Sequence, residues 1–261
     1  MPFVENQGLR YFAFSSFPVE RVDQAVISRR GGVSPEPWHS LNVGGTVGDE
    51  RSRVIENRLR SFHAVRRNPQ SMFDVWQVHS ADVVTANAPH YFSPPEFKAD
   101  AIISNNPDVT LFMRFADCTP VLLFDPTNNA IGMAHAGWLG TVRRVASAMV
   151  KAMSAAYGTR PADLIAGIGP SIGPDHYEVG QDVVERVQQT FHQDSGTLII
   201  HREGRMFFDL WQANKLDLEQ AGVSNIENSG QCTACHTDDW FSHRGEKGKT
   251  GRFGAIMGLK R

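Results

Sequence analysis

Cysteine is scarce, with three residues in a chain of 261. The number is odd and too small for a disulfide framework, so the expected home is a reducing cytoplasm. Long apolar runs are missing as well. No stretch approaches the ~20 residues needed to cross a bilayer, and MPFVENQGLRYFAFSS at the N-terminus lacks the basic start and apolar run of a signal peptide. Charge of one sign is not in excess either. A formal net charge of -2 and a pI near 6.5 give no electrostatic footprint for nucleic acid or a membrane surface. No His-x-His pair occurs, which counts against a multicopper oxidase with a trinuclear cluster. Repeats, low-complexity segments and linkers are also absent, so residues 1–261 are read as a single domain, expected as a monomer or homodimer.

What is there alternates between short strands and helices. LRYFAF, AVISRR, FDVWQVH, DVVTA and DLIAGIG read as strands, as do VTLFMRF, PVLLFD and AIGMAHA in quick succession. The turn cluster Asp125–Pro126–Thr127–Asn128–Asn129 predicts a hairpin between the last two. Helices are predicted over residues 49–62, 139–157, 180–191 and 209–221. Gly158 stands where a C-terminal cap belongs, and Asp209 and Gln212 can form a capping box. The strands cluster too tightly for regular βαβ alternation. The expected class is therefore α+β, with packed mixed sheets flanked by helices.

CTACH, residues 232–236, demands an explanation. C-x-x-C-H is a haem-attachment pattern, and C-x-x-C also serves zinc sites and redox dithiols. Covalent haem attachment occurs outside the bacterial cytoplasm, and nothing marks Met257 or His243 as the further axial ligand. A rival reading pairs His176-Tyr177-Glu178 with Cys232 and Cys235, as in zinc nucleobase deaminases, with Glu178 as proton shuttle. Gln231 stands where that pattern has proline, and no helix is predicted to start there. The Gly-rich GIGPSIG, residues 167–173, has neither G-x-G-x-x-G spacing nor a complete P-loop. It reads as a strand ending in a tight loop.

His79, Cys118 and His135 each fall at the end of a strand-like run. Alone, each has a bland reading: hydrogen-bonded filler for the histidines, a small buried hydrophobe for the cysteine. Together, two imidazoles and a thiolate suit zinc, or copper as the alternative, and leave a fourth position for water or substrate. In AHAGWLGT a helix starting near Leu139 would point its first N–H groups beside His135, as an anion site.

The ordered motifs GGVS, SLNVG, GDE, ENR, WQVHS, ADCTPVLLFDP, AHAGWLGT, GIGPSIGPDHYEVG and FSHRGEKGKTGR resemble those of the laccase-domain (YfiH-like) family. That family is also described as multicopper polyphenol oxidases and as purine nucleoside phosphorylases. The resemblance runs from about Val26 to Ile256. It implies a layered α/β/β/α fold and one metal, taken as zinc, on His79, Cys118 and His135, which would also be the catalytic residues. Its implied activity is phosphorolysis of adenosine and inosine, with methylthioadenosine cleavage and adenosine deamination as companions. Two alternatives come with it: amide hydrolysis that edits peptidoglycan precursors in the same pocket, and copper-dependent phenol oxidation. A phosphorylase needs sites for nucleoside and phosphate, for which Asn42, Arg58 and Arg244 are the expected binding residues. Cys235 and His236 lie outside the family motif and inherit no role from it.

Overall fold

The computed structural model describes residues 3–91 and 96–261. One six-stranded sheet contains β1 (Phe3–Asn6), β2 (Leu9–Phe12), β3 (Val22–Ile27), β4 (Met72–Phe73), β7 (Thr110–Phe115) and β14 (Phe253–Leu259), in the order β1-β2-β3-β14-β7-β4. The other contains β5 (Val83–Thr85), β6 (Ala101–Ser104), β8 (Thr119–Asp125), β9 (Ala130–Ala136), β10 (Ile165–Ile168) and β13 (Asn225–Asn228), in the order β13-β10-β8-β9-β6-β5. A hairpin of β11 (Ile199–Arg202) and β12 (Arg205–Phe208) stands apart. Both large sheets are mixed. Most pairs are antiparallel, while β4 runs parallel to β7, β5 to β6 and β10 to β13.

The alternation of side chains along each strand sorts them into layers. Leu111, Met113, Phe115, Phe253, Ala255 and Met257 of the first sheet meet Ile102, Leu122, Phe124, Ile131 and Met133 of the second in one buried cluster. The opposite face of the second sheet, with Ile103, Val121, Leu123 and Ala134, packs on α3 (Val145–Tyr157) through Met149, Val150 and Met153, and on Leu218 of α5 (Leu210–Gln220). The outer face of the first sheet, with Ile27, Phe112 and Ile256, is covered by Phe62 and Ala64 of α1 (Arg51–Ala64). A smaller core joins α4 (Gln181–Phe191) to the hairpin and α5. Helix, sheet, sheet and helix thus stack as the α+β expectation requires.

Two predicted elements differ. The helix expected over residues 139–157 is split into α2 (Trp138–Val142) and α3, because Arg144 takes a left-handed φ of 63°. Asp217 drives the break. Its carboxylate accepts from Ser147 N at 3.1 Å and from Arg144 Nη1 at 3.1 Å, capping a new helix start. Of FDVWQVH, only Phe73 lies in a strand, at the end of β4, and the rest is loop with a single bridge from Trp76 to Lys98. The hairpin at Asp125 forms as predicted, with Asp125 paired to Ala130.

Candidate functional site

His79, Cys118 and His135 converge, their ligand atoms all within 4.8 Å of one another. Each arrives differently. His135 comes from the penultimate position of β9, and Cys118 from the bend between β7 and β8. His79 belongs to the loop after β4, at a left-handed φ of 59°, rather than to a strand end.

One carboxylate places both histidines. Asp100 Oδ1 lies 2.8 Å from His135 Nδ1, which turns the other ring nitrogen toward Cys118. Asp100 Oδ2 accepts the backbone N–H of Val78 at 3.0 Å and of Ser80 at 2.6 Å, gripping the chain on either side of His79. Arg143 adds a bond to the His79 carbonyl at 2.6 Å. Buried Asp100 therefore fixes ring orientation and loop conformation together, as partners behind metal-ligating histidines do.

Charge in the site follows from these contacts. Burial opposes a cation on His135, but the Cys118 sulfur and the Asp100 carboxylate outweigh it and push its pKa up to about 9. Asp100 faces one ring nitrogen and Cys118 the other, so an ion bound between His135 and Cys118 takes the place of the proton that this pair favours. At His79, burial and then the charge of His135 push the pKa down, favouring the neutral imidazole a metal needs.

The space between the donors fits an ion. A Cβ at position 137 would stand 2.7 Å from Cys118 Sγ and 3.1 Å from His79 Nδ1, so glycine alone keeps it open. Two imidazoles and a thiolate with a free fourth position match catalytic zinc chemistry.

Behind Cys118, Asp117 is 8% exposed and strained at φ 80°. Its carboxylate accepts from Thr233 Oγ1 at 2.6 Å, Ser242 Oγ at 2.7 Å and Arg244 N at 2.6 Å. The first residues of CTACH and the FSHR segment are thereby tied to the residue preceding Cys118. Asp117 stood beside Cys118 in the sequence motif, but nothing there revealed its partners more than 100 residues away.

A cavity of about 490 Å³ opens at the triad, lined by His79 and His135 together with Arg51, Arg58, Arg114, Arg252, Trp76 and Gln77, among others. Of the expected binding residues, Arg58 is in it. Its Nε donates to Val43 O at 3.0 Å, and among the described residues no protein acceptor takes its terminal nitrogens. Burial, then the nearby Arg114 charge, pushes Arg58 down to about 10, so it remains cationic at neutral pH.

The other two are placed elsewhere. Asn42 is fully buried: Oδ1 accepts from Gly44 N and Arg252 N, both at 2.9 Å, while Nδ2 donates to Asp49 Oδ2 at 2.9 Å and Gly44 O at 3.2 Å. Its side chain has no capacity left for a substrate, and it acts by holding Gly44 and Arg252, which do line the cavity. Arg244 donates from Nη1 to Glu178 O at 2.9 Å and lines a different cavity, with His176 and Arg205. Sequence reading gave no role to Arg51, Arg114, Arg252 or Trp76; Trp76 and Arg252 stand inside the WQVHS and FSHRGEKGKTGR motifs, which was the signal available for them, while Arg51 and Arg114 had none.

Two further patterns resolve. Gly169-Pro170-Ser171-Ile172-Gly173 matches the G-x-S-x-G spacing of serine hydrolases. Ser171 is fully buried and its Oγ accepts from Trp211 Nε1 at 2.7 Å and Thr119 Oγ1 at 2.9 Å, with no base beside it among those bonds. The deaminase-like pairing is half assembled: His176 joins Cys232 and Cys235, but Glu178 stays outside that group and faces Arg205 at 3.6 Å.

Known proteins share this arrangement of sequence and fold. The multi-copper polyphenol oxidoreductase laccase family matches residues 23–260. A purine nucleoside phosphorylase of Deinococcus radiodurans is 39% identical over 240 residues, 92% of this chain and 90% of its own. The purine nucleoside phosphorylase YfiH of Escherichia coli is 34% identical over 232 residues, 89% of this chain and 91% of its own. The crystal structure of YlmD from Geobacillus stearothermophilus superposes with a TM-score of 0.92 at 31% identity, covering 100% of this chain and 99% of that one. With the match spanning His79, Cys118 and His135 and the fold shared end to end, this chain belongs to the laccase-domain, YfiH-like family.

Proposed function

We propose that the protein is a zinc-dependent purine nucleoside phosphorylase acting on adenosine and inosine, with methylthioadenosine as a further substrate and adenosine deamination as a side reaction. One observation carries this reading: four arginines line the same cavity as His79 and His135, the two histidines of the triad. Both relatives quoted from Deinococcus and Escherichia are named purine nucleoside phosphorylases.

Arginines crowded against one another repel, and the desolvated Arg58 shows the strain of it. A phosphate dianion relieves that repulsion, taking paired N–H bonds from a planar guanidinium. Arg114 is held from the other side by Asp74 and Val75 O, so it offers a fixed positive charge. Arg252 is braced by Asn42 and by Gly251 O at 2.8 Å. Trp76, 47% exposed in the cavity, offers a flat apolar face on which a purine can stack. The residues thus hold phosphate and nucleoside close together and screen the charge that develops as the glycosidic bond breaks. His79, Cys118 and His135 would hold the ion, which when bound supplies Lewis acidity toward the substrate and an acidified water for deamination.

Incubating inosine with and without phosphate tests the reading. Ribose 1-phosphate and hypoxanthine should form only with phosphate. Free ribose, formed at a rate indifferent to phosphate, would move the enzyme to the hydrolases. A parallel assay with a peptidoglycan-precursor peptide and a phenol checks the two alternative chemistries.

A further inference from the structure

CTACH remains outside that mechanism. Its two cysteines and the distant His176 bring their ligand atoms within 4.8 Å of one another. His176 Nδ1 lies 3.8 Å from Cys232 Sγ and 3.5 Å from Cys235 Sγ. Metal bonds of ~2.3 Å to sulfur and ~2.0 Å to nitrogen at tetrahedral angles separate such donors by about 3.5–3.8 Å. Both histidine–cysteine separations fall in that range, and the two sulfurs lie within 4.8 Å of each other.

We propose that His176, Cys232 and Cys235 form a second metal site, separate from the catalytic triad, for a tetrahedral thiophilic cation of the zinc class. Three features support it. The Gly173 N–H points at Cys232 Sγ from 3.2 Å, a donor that stabilises a thiolate. Gly173 also packs so closely that a Cβ there would lie 3.1 Å from Cys232 Cβ, which fixes the turn carrying His176 against the cysteine. That turn is closed by His176 N donating to Gly173 O at 3.0 Å, while His236 N closes the opposite turn on Cys232 O at 3.1 Å. Two thiolates and a neutral imidazole around a divalent ion leave no net charge. Cys232 is buried while His176 and Cys235 are exposed, so the fourth position faces solvent.

The site has a structural consequence. Thr233, next to Cys232, donates to Asp117, and Asp117 precedes the triad ligand Cys118. An ion clamping residues 173–176 onto residues 232–236 therefore braces the far side of the catalytic centre.

Metal analysis of the purified full chain and three variants tests the proposal. Wild type should hold about two zinc ions per chain. Cys235→Ser and His176→Ala, both at exposed positions where folding is spared, should each hold about one, and so should Cys118→Ala. Cobalt substituted into Cys118→Ala should give the intense near-ultraviolet sulfur-to-metal absorption of two thiolates, and Cys235→Ser should lose part of it. Cys235→Ser with wild-type zinc content would overturn the site. So would a wild-type protein whose zinc is all lost in Cys118→Ala, or intact-mass data showing Cys232 and Cys235 joined as a disulfide. Phosphorolysis is not the readout, so the result stands apart from the proposed activity.

Discussion

Asp100 holds His79 without touching its ring: the carboxylate takes the N–H groups of Val78 and Ser80 instead. The same group fixes the ring of His135. Removing its negative charge should loosen two of the three ligands at once. Asp100→Asn is expected to weaken zinc binding at the triad by about 10- to 100-fold, measured by competition with a chromogenic chelator. Unchanged affinity would mean that the loop keeps His79 in place unaided.

Gly137→Ala should abolish metal binding at the triad with little loss of fold, since the new methyl group would occupy the space between Cys118 and His79. Zinc content and thermal unfolding, measured side by side, separate the two effects. A variant that retains its ion at the triad would show that the donors can open around an extra carbon.

Arg58→Ala should lower kcat/KM for phosphorolysis by about 30- to 1000-fold, the ~2–4 kcal/mol of a charge-assisted contact made in the transition state. Arg58→Lys should recover only part, because an ammonium restores charge but not the guanidinium fork. Arg244→Ala lies outside that cavity, so a smaller loss is expected. Steady-state kinetics with phosphate as the varied substrate ranks the three, and a larger loss in Arg244→Ala would move the phosphate to the other cavity.

Asp125 sets an acid limit on stability. Burial raises its pKa, but donors around it outweigh that and lower it, among them Thr127 N at 2.8 Å, Asn128 N at 3.0 Å and Asn128 Nδ2 at 2.9 Å. A carboxyl depressed in the folded state contributes stability above its unfolded pKa, lost as pH falls through the folded value. Asp125→Asn should therefore be less stable than wild type at neutral pH, with the gap closing below about pH 4. Denaturant unfolding across that range checks the convergence.

The layered fold was legible because strand and helix periodicities are local: β7, β8 and β9 were visible in their apolar runs, and the hairpin in its turn residues. His79, Cys118 and His135 were legible too, because a chemically rare trio stands out among few cysteines. What surrounds them was not. Asp100 and Asp117 earn their roles from partners brought in by the fold, and Asn42 from four hydrogen bonds that no motif announces. The split between α2 and α3 depends on Asp217, far along the chain from Ser147. His176 met the two cysteines across a separation that only tertiary structure closes.

The last strand of the fold is among its most interior. β14 lies between β3 and β7, and its seven residues are all buried. During synthesis, the first sheet therefore waits with two open edges until residues 253–259 have left the ribosome. Open edges of that kind invite pairing with other chains. A chain cut before Phe253 would be left with a sheet missing its centre, and aggregation rather than a smaller working enzyme is the outcome to expect.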